Sequence, residues 1–501
     1  MIELKELVDI VTRNKVKSIE IIGNPSDKES KLMQYYDLIV ENQVNSDEEA
    51  FEKLYGNSSP KNAFYKLKHQ LRDRLYNTLF FIDIKQNKYS DIKKAEIKCQ
   101  KSLMLYNLLK LKGGTRNAVK IAKKGLKIAL DYELTQEVIF LSEKLRSHYA
   151  SLLGDRKSFN HYNNILLEYQ KIYLAETDAK GKYLDLMSFY VNSRATKLYV
   201  KQQAQQYLEE VNKLDIPRET ADFFYYKTML EIIFHMSVND YSKTLGVCSM
   251  ALEKIYSFKY LNTKAKIIIS LQYIACCIQL KLYEDGKKEI IECLEIVDEG
   301  LHTWFKLQEL YLTLCLHTQN YAEAWSTYQL ATGHKKFQNL FTNAQEVWKI
   351  YEAWLYFLIK AGKVSTLNGN VYKKFRIGRF INEVPTFSKD KRGLNVPILI
   401  AQIVLLQQDC RYDQLIDRME AIAKYKHRYL DKDENYRSNI FIRMLLEASK
   451  ASFKREKTLR HTSKYLSMLG EIPLEISNQR HDLEILPYED IWGIVVEQLA
   501  V

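Results

Sequence analysis

The chain has 501 residues, 46% of them apolar and 27% charged, which is a globular composition. Gly (17) and Pro (7) are both scarce, so helices joined by short turns are expected and long irregular stretches are not. The net charge of +12 is uneven: residues 61–130 carry 18 Lys and Arg against four Asp and Glu, whereas residues 1–60 sum to −5 and residues 471–501 to −6.

Residues 1–82 show no repeat spacing and read as three helices. Ser26 with Glu29, and Ser46 with Glu49, have the spacing of capping boxes. The first predicts an amphipathic helix to about Asn42. The second predicts a short acidic helix ending at Tyr55-Gly56, where Gly suits a left-handed terminus. Ser59-Pro60 predicts the start of a third helix. Its buried stripe is Phe64, Leu67, Leu71, Leu75 and Leu79, with Lys61, Tyr65, Lys68 and Arg72 towards another side. Ser18–Ile22 is the one place where a short strand is expected. Residues Leu54-Tyr55-Gly56, Asn62-Ala63 and Gln70 to Leu75 resemble the recognition-helix region of bacterial winged-helix regulators. That resemblance implies a helix-turn-helix-like unit, although no hairpin follows Thr78–Asp83 to form a wing.

From residue 83 a spacing recurs: an anchor, then positions +3, +7 and +10. It occurs at Thr115, Ala118, Ala122, Gly125, and again at Tyr241, Thr244, Cys248, Ala251. It returns at Tyr283, Gly286, Ile290, Cys293, at Tyr321, Ala324, Tyr328, Ala331, and weakly at Tyr412, Leu415, Met419, Ile422. These offsets share one helical face, and small residues there let a second helix approach closely. Turns near Asp155-Arg156, Lys201 and Gly362-Lys363 complete a count of about eight hairpins between residues 90 and 460. The pattern resembles the tetratricopeptide-repeat family, with Trp304, Leu307 and Tyr311 on the first helix of the Tyr321 unit. The period is nearer 40 residues than 34, so the resemblance implies long, degenerate repeats. The expected fold is all-α: a right-handed solenoid of about eight antiparallel helix hairpins behind a small non-repeat helical N-terminal region. The expected segments are 1–82, 83–470 and an acidic cap at 471–501.

A basic, irregular insertion is expected at 364–396. There Lys373, Lys374, Arg376, Arg379, Lys389, Lys391 and Arg392 alternate with Phe375, Phe380 and Phe387, a mixture that suits nucleic acid or a loop docked by its Phe side chains. In the acidic end, Glu484, Glu489 and Asp490 surround Trp492 and are expected to form a polar cap or to cover the 61–130 segment.

Chemistry is harder to find. Gly113-Gly114 lacks the Lys-Ser/Thr of a phosphate loop, the ten His have no metal spacing, and no Gly-x-Ser-x-Gly elbow occurs. The seven Cys are odd in number without Cys-x-x-Cys, as for buried residues in a reducing compartment. The chain opens Met-Ile-Glu-Leu-Lys-Glu with no basic leader, and its longest apolar run, Val396–Leu406, is too short to span a bilayer. The expectation is a cytoplasmic, non-enzymatic scaffold without cofactor or metal, binding a protein or peptide on the concave face of the solenoid, and no membrane. The alternative is a nucleic-acid-binding regulator using the N-terminal unit. Candidate polyanion contacts are Lys61, Lys68, Arg72, Lys120, Lys123, Lys124, Lys127, Lys373, Lys374, Arg376 and Arg379. In the basic segment Lys93, Lys94, Lys101, Lys120, Lys123, Lys124 and Lys127 are expected to face solvent, because unpaired Lys is costly to bury.

Overall fold

The computed structural model describes residues 4–5, 8, 30–56, 61–79, 90–152, 154–192, 197–258, 263–364, 375–383, 395–429, 436–474 and 484–499. Helix accounts for 83% of them, and none is in a strand. The Ser18–Ile22 strand and the Ser26 and Ser59-Pro60 helix starts lie outside the described residues. The chain divides into two compact units, Met1–His148 and Tyr149–Val501. The division falls within the helical array and not at residue 82.

In the first unit, α1 (Lys31–Val40), α2 (Asp47–Tyr55) and α3 (Lys61–Leu79) surround a core that includes Tyr35, Ile39, Phe64, Leu71 and Leu75. Ser46 caps α2: its hydroxyl accepts the Glu49 N–H at 3.1 Å. The Glu49 carboxylate returns to the Asn45 N–H at 2.7 Å, so the reciprocal bond is displaced by one residue. Gly56 ends α2 at φ +59°. The expected stripe of α3 is buried except Leu79, which is half-buried. The array then begins with α4 (Asp91–Leu111), α5 (Thr115–Asp131) and α6 (Thr135–Ser151).

The second unit continues with α7 (Arg156–Asn192), α8 (Lys197–Asn212), α9 (Ala221–Ser237), α10 (Tyr241–Ile255), α11 (Thr263–Gln279) and α12 (Tyr283–Ile296). Next come α13 (His302–His317), α14 (Tyr321–Gly333), α15 (Thr342–Lys360), α16 (Ile377–Glu383) and α17 (Asn395–Gln408). It ends with α18 (Tyr412–Tyr429), α19 (Tyr436–Lys450), α20 (Arg455–Glu471) and α21 (Tyr488–Glu497).

One turn recurs throughout. A helix ends on a residue in the left-handed region, and the next N–H bonds back to the carbonyl five residues earlier. Examples are Asp240 to His235 (3.0 Å), Leu282 to Cys277 (2.8 Å), Asn320 to Cys315 (2.8 Å), Lys363 to Leu358 (2.9 Å) and Arg411 to Leu406 (3.0 Å). This is the six-to-one bond of a Schellman motif, which satisfies helix-end carbonyls. In the second unit this turn is centred on Asn239, Lys281, Gln319, Gly362, Cys410 and Ser452, spaced by 42, 38, 43, 48 and 42 residues. Two residues after such a turn comes the anchor, and each of the five anchors from Thr115 to Tyr412 is the first residue of a helix.

Every +3, +7 and +10 position of the five copies is buried. Two of them need Gly. A Cβ on Gly125 would lie 2.9 Å from the Ser102 Cβ, and one on Gly286 would lie 2.8 Å from the Leu314 Cδ2. Small residues therefore set the separation of paired helices, and α13 with Trp304, Leu307 and Tyr311 packs on α14 as the spacing predicts.

Lys201 is not in a turn. Val200 and Ala204 both face the core, so residue 201 sits on the outer side of the continuous helix α8. The basic insertion is not irregular throughout: α16 forms within it, burying Ile377 and Phe380, and α17 starts at Asn395, before the expected end at 396.

The C-terminal stretch crosses the turns of its own unit. Gln279 Nε2 donates to the Leu474 carbonyl (2.6 Å) and Gln319 Nε2 to Asp490 Oδ1 (2.7 Å). Lys363 Nζ meets Glu497 Oε2 (2.9 Å) and Gln408 Nε2 donates to Gln498 Oε1 (3.2 Å). These partners belong to four successive hairpins. Trp492, Ile491 and Ile494 bury the other side of α21 in the same core as α15, α17 and α19.

Candidate interaction surface

On α5 the side chains of Ala118, Ala122, Leu126 and Ala129 are buried, together with Gly125. The remaining face carries Lys120, Lys123, Lys124 and Lys127, all exposed as expected. Lys93 is also exposed, with Glu96 at 2.8 Å. Lys94 and Lys101 are corrections, because both are half-buried. Lys94 bonds Asp91 at 3.3 Å, and long Lys stems lie along a helix surface while the ammonium stays near water. The positive field reaches the half-buried His148. Burial lowers its pKa, and Lys110 and Lys123 lower it further by opposing a second positive charge.

On α3, Lys61 and Tyr65 are exposed and Arg72 is half-buried, on the side opposite the Phe64–Leu75 stripe. Tyr76 extends that face one turn further and is also exposed, a member the sequence reading missed. Lys68 is drawn away from it by Asp47 at 2.5 Å. Arg376 and Arg379 are exposed at the start of α16. Phe375 packs tilted against Tyr356, with ring centroids 4.7 Å apart, and Phe380 is buried, so these two rings dock on the protein and are not presented to bases. Lys373, Lys374, Lys389, Lys391, Arg392 and Phe387 lie outside the described residues.

The acidic end is engaged within its own unit. Arg437 is 1% exposed and makes a two-pronged contact with Glu484, at 2.6 and 3.0 Å. The same guanidinium reaches Glu489 (2.6 Å) and the carbonyls of Leu469 (3.1 Å) and Ile472 (2.9 Å). Glu484 is fully buried. Glu484, Glu489 and Asp490 thus have partners in residues 319–488, and the expected polar cap is an inward-facing charge cluster. Buried charge must be paired, and Arg437 supplies the pairing.

A second charge cluster links neighbouring hairpins. Glu323 accepts from Tyr283 and from Tyr311 (2.5 Å), and Lys287 lies 2.9 Å away. The two phenol hydrogen bonds and then Lys287 hold its carboxyl at about 2. This network is accounted for by helix pairing.

Six of the seven Cys are buried and Cys410 is exposed. Burial pushes the Cys99, Cys276, Cys277 and Cys315 thiols up to about 12. Among the described residues, no group of three or more His, Cys, Asp and Glu side chains is arranged to hold a metal, and no helix is long and apolar enough to cross a membrane.

The sequence reading also missed an exposed apolar face. Ala95, Cys99 and Tyr106 are the buried side chains of α4, and the Cys99 Sγ donates to the Gly125 carbonyl. On the other side, Met104 (46%), Leu105 (46%), Leu108 (47%) and Leu111 (79%) are exposed. Phe140 of α6 is exposed as well, between Glu137 and Lys144 on the face where α6 meets α4. The signal was present in the sequence as apolar positions on both sides of one helix. Comparison with family models, curated proteins and solved structures finds no match for this chain.

Proposed function

We propose that the chain is a non-enzymatic interaction scaffold, a tetratricopeptide-like hairpin array that holds an acidic protein partner, with the α4–α5 hairpin as the docking element. The observation that carries this reading is the outward row Lys120, Lys123, Lys124 and Lys127, set in a stretch where residues 91–130 hold eleven Lys and Arg against two acids. Such a field accelerates encounter with a negatively charged partner and is weakened by salt. Within the acidic end, Glu484 and Glu489 are engaged by Arg437 and Asp490 by Gln319. The experiment is capture from a nuclease-treated lysate by the full-length protein. Retention that disappears when the four lysines become Glu, and survives nuclease, supports the reading. Retention indifferent to the four substitutions would end it.

A second reading is favoured by one observation: Lys61, Tyr65, Arg72 and Tyr76 share the outward side of α3. This is the face a helix-turn-helix unit would lay on DNA. Low-salt filter binding of duplex DNA tests it. Retention abolished by Lys61→Glu with Arg72→Glu supports DNA contact, and retention unchanged by them removes it.

A further inference from the structure

Helix α4 is apolar on two sides: one packs on α5 and α6, and the other carries exposed side chains. Cys99 and Ser102 face α5, where Gly125 allows close approach, and Tyr106 reaches the Lys144 carbonyl of α6. The opposite line runs Lys98, Lys101, Leu105, Leu108, Lys112, offsets of 0, 3, 7, 10 and 14 on one helical face. Met104 and Leu111 widen it. The four apolar members are exposed, as are Lys98 and Lys112 at the two ends.

The position is unusual. α4 opens the array, and the outer face of a terminal repeat is expected to be polar. Among the described residues, the α1–α3 core contains no side chain of α4. A contiguous apolar patch with a charged rim marks a site of association.

We propose that this face of α4 is a docking surface for an amphipathic, acidic helix of another protein. The proposal rests on the reading of the chain as an interaction protein and names the partner's shape and charge. Four apolar side chains over two helical turns match the stripe of one amphipathic helix. Lys98 and Lys112 at the two ends select acidic flanks. The occupants available within the chain fit poorly. Residues 471–501 are acidic, but Glu484, Glu489 and Asp490 are engaged and α21 is buried in its own unit. Residues 1–29 hold five Lys and Arg against six acids, too nearly neutral to complement the rim. A second copy docked on itself would bring Lys98 and Lys112 against lysines of the same stripe, and like charges at a desolvated interface oppose association. Lys120, Lys123, Lys124 and Lys127 lie on the side of α5 away from its buried face and form a separate surface.

The test uses the full-length chain and a fluorescent peptide of about 18 residues, five helical turns, with Leu along one stripe and Glu elsewhere. A scrambled peptide of the same composition is the control. The expected result is anisotropy binding at least about tenfold tighter for the striped peptide. Leu105→Glu with Leu108→Glu should weaken it by at least about tenfold. Lys98→Glu with Lys112→Glu should weaken it about fivefold and flatten its salt dependence. Both positions are exposed, so an unchanged melting curve will show that the variants fold. Equal affinity for the scrambled peptide, or no binding of the striped one, overturns the proposal. So does stronger leucine-dependent binding to vesicles containing phosphatidylserine, or to an oligonucleotide. A dimer in sedimentation that the leucine substitutions disperse would assign the face to a second copy and also overturn it. The α5 lysine variant separates the two claims. If lysate capture needs those lysines but the peptide ignores the α4 leucines, the scaffold reading stands and this docking surface falls.

Discussion

The α4–α5 hairpin and the α19–α21 region are both rich in charge, and they treat it in opposite ways. In the first, Lys120, Lys123, Lys124 and Lys127 face water along one side of α5. In the second, Arg437 is buried and fully engaged by Glu484, Glu489 and two carbonyls. The difference lies in placement: Arg437 has two carboxylates within hydrogen-bond reach of its buried guanidinium, whereas the α5 lysines project outward. Eleven bases against two acids in residues 91–130 cannot be neutralised locally. Arg437 meets two carboxylates that follow it by 47 and 52 residues.

The sharpest way to break this contrast is Arg437→Ala. It would leave Glu484 buried without its partner, and such losses cost about 3–5 kcal/mol. Urea unfolding followed by circular dichroism measures it, and a loss below about 1 kcal/mol would show that the cluster is not structural. Arg437→Met with Glu484→Leu should recover most of the stability, because a well-packed apolar pair replaces a buried ion pair at little cost.

A smaller effect is expected where packing decides and charge does not. Ala324 is fully buried between helices, and Ala324→Phe should destabilise by about 1–3 kcal/mol through overpacking. An unchanged midpoint would mean that the small residue does not set the helix separation.

Glu323 lies between the two extremes, being charged, half-exposed and hydrogen-bonded. Its carboxyl in the folded chain is held at about 2, below an unfolded value of about 4.5. Its contribution is therefore present above pH ~4.5 and lost as the pH falls towards ~2. Glu323→Gln should cost under about 1 kcal/mol at pH 7, since the carboxylate is 42% exposed and water screens the pair. The difference from the parent chain should close by pH ~2. A gap that widens on acidification would contradict the assigned network. The smallest effect belongs to α5: Glu at positions 120, 123, 124 and 127 should leave the melting midpoint nearly unchanged, within about 0.5 kcal/mol of stability, because exposed side chains contribute little to it.

Much of the architecture was legible in the sequence because small residues must recur where helices touch. The five spacing copies each coincide with a helix start, and their inward positions are buried. The turns were legible in part. Among the residues that end helices at the recurring turns of the second unit, Gly362 and Asn239 are types that favour the left-handed region, whereas Lys281, Gln319, Cys410 and Ser452 are not. Lys201 itself lies within α8, on its outer side. Exposure on α5 followed from period and charge, since unpaired lysines stay in water. The inward turn of the acidic end did not, because Arg437 and Glu484 are separated by 47 residues and no local pattern joins them. The apolar face of α4 was visible only as a second apolar side, which a buried helix would also show.

Lysine acetylation rates across the full chain test the central claim most directly. They would be compared between the purified protein and the protein in a nuclease-treated lysate. Lys454, Lys457 and Lys464 of the second unit are exposed and serve as internal references. The account predicts slower modification of Lys120, Lys123, Lys124 and Lys127, with Lys98 and Lys112 following if α4 is also covered, and unchanged rates at the three references. Equal rates at the α4 and α5 lysines in both samples, or protection confined to the second unit, would contradict it.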